Sequence, residues 1–222
     1  GFFGYSLTSG DFNADGKTDL AVGGYNANRV YIYTFNDPVI TGGATNNQFG
    51  YALATGDYNA DGRVDLAVGA YAYSSNAGRA YVFYNDGQIP NAVASADAII
   101  TGAASNYLGQ ALASGDFNFD GKVDLAVGGY GCSSFTGCAY IFYNGSIITE
   151  NASGADVTIT GEASSFFGNS LVAGDFNADG RTDLAGGAEG YSATTGRAYV
   201  FYNDGTIPTA AGSADAIITG EA

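Results

Sequence analysis

Asp11, Asn13, Asp15 and Asp19 put a carboxylate or amide oxygen at positions 1, 3, 5 and 9 of the stretch Asp-Phe-Asn-Ala-Asp-Gly-Lys-Thr-Asp. The carbonyl of Lys17 adds an oxygen at position 7, and Gly16 lets the chain bend after the third side-chain donor. Hard oxygen donors in this number suit calcium, which takes about six to eight of them, whereas magnesium keeps its waters and rarely uses an all-protein cage. The chain has no His and no Met, and its two cysteines lie elsewhere, so zinc and copper lack their usual ligands. The pattern returns three times: Asp57, Asn59, Asp61, Arg63 and Asp65; Asp116, Asn118, Asp120, Lys122 and Asp124; Asp175, Asn177, Asp179, Arg181 and Asp183. About four bound Ca2+ ions are therefore expected. An EF-hand would need a glutamate at position 12, where the first loop has Val22, and helices where strands are expected. An Asx-turn hairpin whose side chains bond only to backbone is the competing reading, and four copies sharing every acidic position weigh against it.

The net charge of −15 has the same source: three aspartates in each of four loops make up twelve of the 22 acidic residues. Four divalent cations would bring the charge to about −7. Such a chain repels nucleic acid and anionic membrane surfaces. No apolar run approaches the ~18 residues of a membrane span, and no signal pattern opens the sequence, so no membrane insertion is expected. The chain reads as soluble, either mature or cut from something longer. With no histidine, Ser-His and Cys-His nucleophile systems are excluded, and an enzyme is not expected. Glu162 and Glu189 are the unrepeated acids left to test for carboxylate chemistry, whereas Asp97, Asp156 and Asp215 recur once per unit and read as turn residues.

The elements that position the loops follow from the repeat. First aspartates at 11, 57, 116 and 175 are spaced by 46, 59 and 59 residues. Each unit opens on Phe3-Gly4, Phe49-Gly50, Leu108-Gly109 or Phe167-Gly168, then runs through a short alternating segment into the loop. A second strand such as Leu66-Ala-Val-Gly69 leaves the loop, and a Gly/Ser/Asn/Tyr connection leads to a third, Arg79-Ala-Tyr-Val-Phe-Tyr84. That third strand is apolar on both faces, as a sheet sandwiched between sheets requires. Asn85-Asp-Gly87 and Asn203-Asp-Gly205 signal turns before a fourth strand such as Ala98-Ile-Ile-Thr101. Four strands per unit without helical periodicity predict an all-β fold, a β-propeller of four-stranded antiparallel blades, with four blades at about 1–47, 48–106, 107–165 and 166–222. They form one domain or a propeller segment. The first unit is thirteen residues shorter, and the loss falls between Tyr25 and Val39, outside the strands.

Cys132 and Cys138, six apart, suit a disulfide clamping one connection in an oxidising compartment; two free buried thiols are the alternative. Cys138 stands where the other units have Arg29, Arg79 and Arg197, which favours a paired replacement. Asn144-Gly-Ser146 and Asn151-Ala-Ser153 are glycosylation sequons.

The Phe-Gly opening, the Asp-x-Asn-x-Asp-Gly-x-x-Asp loop, the following Asp-Leu-Ala-Val-Gly and the Gly-Arg-Ala-Tyr-Val strand resemble the FG-GAP repeats of integrin α-subunit propellers and related secreted proteins. The likeness spans essentially the whole chain. It implies loops that join the first and second strands of each blade on one side of a disc and bind calcium structurally. Leu108 in place of phenylalanine and Gly186 in place of valine depart from the pattern without touching a ligand, and the family usually closes with seven repeats where four stand here.

These features predict an extracellular, secreted or cell-surface recognition or adhesion module. A protein or glycan ligand is expected on the face opposite the calcium loops, where Tyr25, Tyr71, Tyr73, Tyr130 and Tyr191 lie in the connections after the second strands. Packing between blades is the other reading of these tyrosines. A carbohydrate-binding lectin and a repeat-built protein that assembles head to tail are the alternatives. The end of the chain, Thr219-Gly-Glu-Ala222, is in phase with its beginning, which suits a closed ring, a segment of a longer array or self-assembly.

Overall fold

The computed structural model describes residues 2–34, 38–43, 46–145, 151–192 and 195–221; Ser146 of the first sequon and Ala222 fall outside them. Among these residues the chain is all-β, in four four-stranded sheets. The first holds β1 (Phe3–Gly10), β2 (Asp19–Gly24), β3 (Arg29–Tyr33) and β4 (Val39–Thr41), and the second β5 (Leu53–Gly56), β6 (Asp65–Ala70), β7 (Arg79–Phe83) and β8 (Ala98–Thr101). The third holds β9 (Ala111–Gly115), β10 (Asp124–Gly129), β11 (Cys138–Phe142) and β12 (Val157–Thr160), and the fourth β13 (Ser170–Gly174), β14 (Asp183–Ala188), β15 (Arg197–Phe201) and β16 (Ala216–Thr219). Every sheet is an antiparallel meander in chain order, the arrangement of a blade. No helix among the described residues is long and apolar enough to cross a membrane.

The shortened first blade keeps all four strands. The missing residues fall on either side of β3, between β2 and β3 and between β3 and β4.

Consecutive blades share one apolar core per junction. Between blades one and two, Phe12, Val30, Ile32 and Ile40 meet Phe49, Leu66, Tyr81 and Phe83. The next two junctions repeat the pattern around Leu108 and Phe142, then around Phe167 and Phe201. Short parallel bridges such as Gly78 to Leu108 and Gly137 to Phe167 tie each blade to the one that follows. At these crossings glycine is required by contact: a Cβ on Gly69 or Gly128 would run into the carbonyl of Gly109 or Gly168 in the next blade.

The third strands expected to be buried on both faces are so in the middle of the molecule, where β7 and β11 are almost wholly buried. β3 and β15 are each open on one side, because blades one and four do not cover each other. Phe3 is 56% exposed and Ile218 63%.

Candidate metal centres and recognition surface

Each loop joins the first and second strands of its blade and is shaped by its own acidic side chains. In the first, Asp11 accepts from the N–H of Asp15 (3.0 Å) through one oxygen and from that of Gly16 (2.8 Å) through the other. Asn13 Oδ1 accepts from the same Asp15 N–H (2.9 Å), and Asp15 accepts from the N–H of Lys17 (2.9 Å). The other three loops repeat the set around Asp57, Asp116 and Asp175 to within 0.1 Å. The fourth residue of each loop sits in the left-handed region: Ala14, Ala60, Phe119 and Ala178 have φ of 57°, 59°, 60° and 61°. The glycine two places on has φ between 81° and 86° with open space around it, so the backbone alone demands glycine there. Spending several hydrogen bonds to hold the same strained turn four times marks a built loop.

The ninth-position aspartates do something different. Asp65, Asp124 and Asp183 are fully buried. Asp65 accepts the Tyr58 N–H (2.8 Å) and the Asn85 N–H (2.8 Å), and Asp124 and Asp183 are held the same way by Phe117 with Asn144 and by Phe176 with Asn203. Burial outweighs these donors and pushes the carboxyls of Asp65 and Asp124 up to about 6.

Asn85, Asn144 and Asn203, which the sequence presents only as turns or a sequon, brace the loops. Each follows its third strand, and its side-chain amide reaches the loop of the preceding blade. Asn85 Nδ2 donates to the Asp11 carbonyl (3.1 Å), Asn144 Nδ2 to the Asp57 carbonyl (3.2 Å) and Asn203 Nδ2 to the Phe117 carbonyl (2.9 Å). A second bond from each runs to the carbonyl before the ninth-position aspartate of its own blade. The asparagines therefore chain the four loops together along one edge of the molecule. An asparagine two residues after the aromatic end of the third strand in blades two, three and four was the available signal.

As a cation site each loop offers only oxygen. Among the described residues no three carboxylates, thiolates or imidazoles converge closely enough to hold a metal ion by themselves. The donor set is instead mixed: the first- and fifth-position carboxylates, the third-position amide oxygen and a backbone carbonyl at the seventh position. An ionised carboxylate has about four lone-pair sites, so oxygens that already accept one N–H retain capacity for a hard cation. The residues fit calcium in chemistry.

At the other end of the strands the tyrosines divide. Tyr25, Tyr71 and Tyr130 join a ribbon of rings across all four blades, each ring 4.5–6.3 Å from the next: Tyr25, Tyr51, Tyr71, Tyr107, Tyr130 and Phe166. Tyr5 joins it through its hydroxyl, which donates to that of Tyr51 (2.7 Å), and Gln110 extends the polar edge to Asn169 (3.0 Å). Burial among these rings raises the hydroxyls of Tyr51, Tyr71 and Tyr130, the last to about 12. Tyr5, Tyr51, Tyr107 and Phe166 went unnoticed in the sequence; their shared signal is a ring beside each Phe-Gly or Leu-Gly opening.

Tyr73 and Tyr191 are elsewhere, under the guanidinium groups of Arg79 (3.7 Å from the ring centre) and Arg197 (3.6 Å). In blade three Cys132 and Cys138 hold these two positions and form the expected disulfide, with Cα atoms 5.8 Å apart. A covalent clamp thus replaces a cation–π clamp at the same connection. Of the unrepeated acids, Glu162 is bound to Arg197 (3.1 Å), and Glu189 is exposed. Asp97, Asp156 and Asp215 accept the N–H of Tyr84, Tyr143 and Tyr202, the turn chemistry expected of them.

Comparison with known proteins agrees with this geometry. The FG-GAP-like repeat family matches residues 11–68 and the FG-GAP repeat family residues 167–201. Integrin alpha-M of Mus musculus is 41% identical over 81 residues, which are 35% of this chain and only 7% of that protein's length. The crystal structure of the V. cholerae biofilm matrix protein Bap1 aligns with 90% of this chain and 38% of its own at 17% identity, with a TM-score of 0.30 that carries no argument. At both matched stretches the chain is therefore similar to FG-GAP repeats, in its first loop region and in its last blade.

Proposed function

We propose that this chain is a calcium-rigidified recognition module of an extracellular or cell-surface protein, with one structural Ca2+ in each of the four loops and its ligand surface on the aromatic ribbon at the opposite end. The observation that carries the reading is the fourfold repetition of one strained, oxygen-lined loop, each copy anchored to the next by an asparagine side chain, buried in Asn85 and Asn203 and half-buried in Asn144. The side chains at positions 1, 3 and 5 and the seventh-position carbonyl are the preformed ligands, and the ninth-position aspartate is drawn in by the ion, using the lone pairs that its N–H donors leave. Each ion cancels the repulsion between the loop's carboxylates and stabilises the folded chain by mass action, by about 2.7 kcal/mol per site at a hundredfold excess over Kd. Because the asparagines join the loops, this rigidity extends across the blades, which act as one unit presenting a fixed ligand surface.

Thermal melts in calcium and after exhaustive chelation test the proposal. The melting temperature should fall markedly on chelation and return when calcium, but not sodium, is restored; equal melts with verified metal-free protein would refute it. The ligand is a protein that lays polar and aromatic side chains along the ribbon, where half-buried tyrosines combine apolar area with hydroxyl donors. A glycan is the second reading, favoured by the Gln110 Oε1 atom, which is buried beside the rings without a hydrogen-bond partner. A glycan array distinguishes the two.

A further inference from the structure

The two glycosylation sequons differ in what their asparagines already do. Asn144 is the brace of blade three. Its Nδ2 donates to the carbonyls of Asp57 (3.2 Å) and Val123 (3.3 Å), which engages both amide hydrogens, and its own N–H is held by Asp124 (2.8 Å). Asn85 and Asn203 do the same in blades two and four with no sequon around them, so the brace accounts for the asparagine at 144. A sugar on its Nδ2 would leave one N–H and break one of the two bonds.

Asn151 departs from the repeat instead. It precedes the short 3-10 turn Ala152–Gly154, and its backbone bridges to Thr101 as Ala92 bridges to Thr41 and Ala210 to Thr160. Of these three positions, only that of blade three holds an asparagine. Two residues on, Ser153 stands where the other turns have Ala94 and Gly212. Both halves of the sequon are thus confined to one copy. The residue between them is pinned: Ala152 is 4% exposed and packs in the core between blades two and three, while Asn151 and Ser153 are exposed. Asn151 also lines two adjoining hollows of about 390 and 280 Å3, which share Thr101 as a second common wall. A group attached to its amide therefore meets open space.

We propose that Asn151 is the acceptor of an N-linked oligosaccharide and that the folded protein carries none at Asn144. The inference takes from the proposed function only entry into a secretory compartment, the kind of environment in which the Cys132–Cys138 disulfide persists. The donor is a lipid-pyrophosphate-linked oligosaccharide, and the catalyst is an oligosaccharyltransferase that reads the hydroxyl two residues after the asparagine. Asn151 Nδ2 bonds to the anomeric carbon of the donor. The bond from that carbon to the pyrophosphate oxygen breaks, its electron pair leaves with the lipid pyrophosphate, and one amide proton passes to a base of the transferase. The sugar then covers the seam where Thr101 of blade two meets blade three.

Translation of the full chain behind a cleavable leader, with microsomal membranes present, tests this. Glycan addition is read as a gel shift that an endoglycosidase removes, and its position by mass mapping after peptide N-glycosidase treatment in heavy-oxygen water. Wild type should gain a single glycan, mapped to Asn151. Asn151→Gln and Ser153→Ala should each abolish the shift, whereas Asn144→Gln should keep it and lower the melting temperature of the folded protein. An unshifted wild type, a shift that survives Asn151→Gln, or a glycan on Asn144 of folded protein overturns the proposal. Secretion from whole cells is read separately: a chain glycosylated at Asn151 but retained by the cell supports the acceptor assignment and counts against the extracellular reading alone.

Discussion

Replacing Asn85 with alanine tests how the loops are coupled, because this residue is wholly buried and bonds in three directions. Its Nδ2 donates to the Asp11 carbonyl in blade one (3.1 Å) and the Val64 carbonyl in its own blade (3.3 Å), and its Oδ1 accepts the Gly87 N–H (3.1 Å). Its own N–H, which binds Asp65, survives the substitution. Three backbone groups lose a partner at about 1 kcal/mol each, a total of about 3 kcal/mol. In a chain of this size that lowers the melting temperature by about 6–12 °C. Asn85→Asp should cost at least as much, since it keeps the acceptor, loses both donors and adds a second carboxylate beside Asp65. Differential scanning calorimetry in saturating calcium reads the effect, and Asn203→Ala, at a distant junction, should add to it independently. A drop of less than about 2 °C for Asn85→Ala would refute the bridging role.

Two further outcomes are expected. Asp65 and Asp124, raised to about 6 by burial, bind protons more readily folded than unfolded, so they favour folding below the ordinary aspartate range and lose that contribution as pH rises towards 6. Metal-free protein should therefore melt higher at pH 5 than at pH 7, and a lower melt at pH 5 would contradict this; with calcium bound, proton competition should reverse the trend. Removing the Cys132–Cys138 bond with paired serines should cost about 2 kcal/mol, read by denaturant unfolding, while Cys132→Tyr with Cys138→Arg should recover part of it by installing the clamp used in blades two and four. An unchanged midpoint in the serine pair would sink that account.

The sequence made the local features plain and concealed those that depend on neighbours. The loops, strands and disulfide were legible because each is written in a few adjacent residues: alternate oxygens and a glycine, an apolar run, two cysteines in place of Tyr and Arg. Asn85-Asp-Gly87 reads as a turn from local chemistry, and a turn follows it, yet nothing local reveals that its amide reaches Asp11, 74 positions away. Tyr73 and Tyr71 look alike on the page. Arg79 claims the first and the ring of Tyr51 the second, a distinction set by which side of the connection faces the neighbouring blade. Phe3 and Phe49 open their units identically, and the sequence alone does not show that the first blade covers Phe49, which is 1% exposed.

The central claim is that the four repeated loops are calcium sites, and calorimetric titration of metal-free protein with calcium tests it most directly. About four ions should bind per chain, and Asp57→Ala, which removes the first carboxylate of the second loop, should lower the count by one while the protein stays folded. No calcium binding by folded wild type, or an unchanged count in Asp57→Ala, would contradict the account.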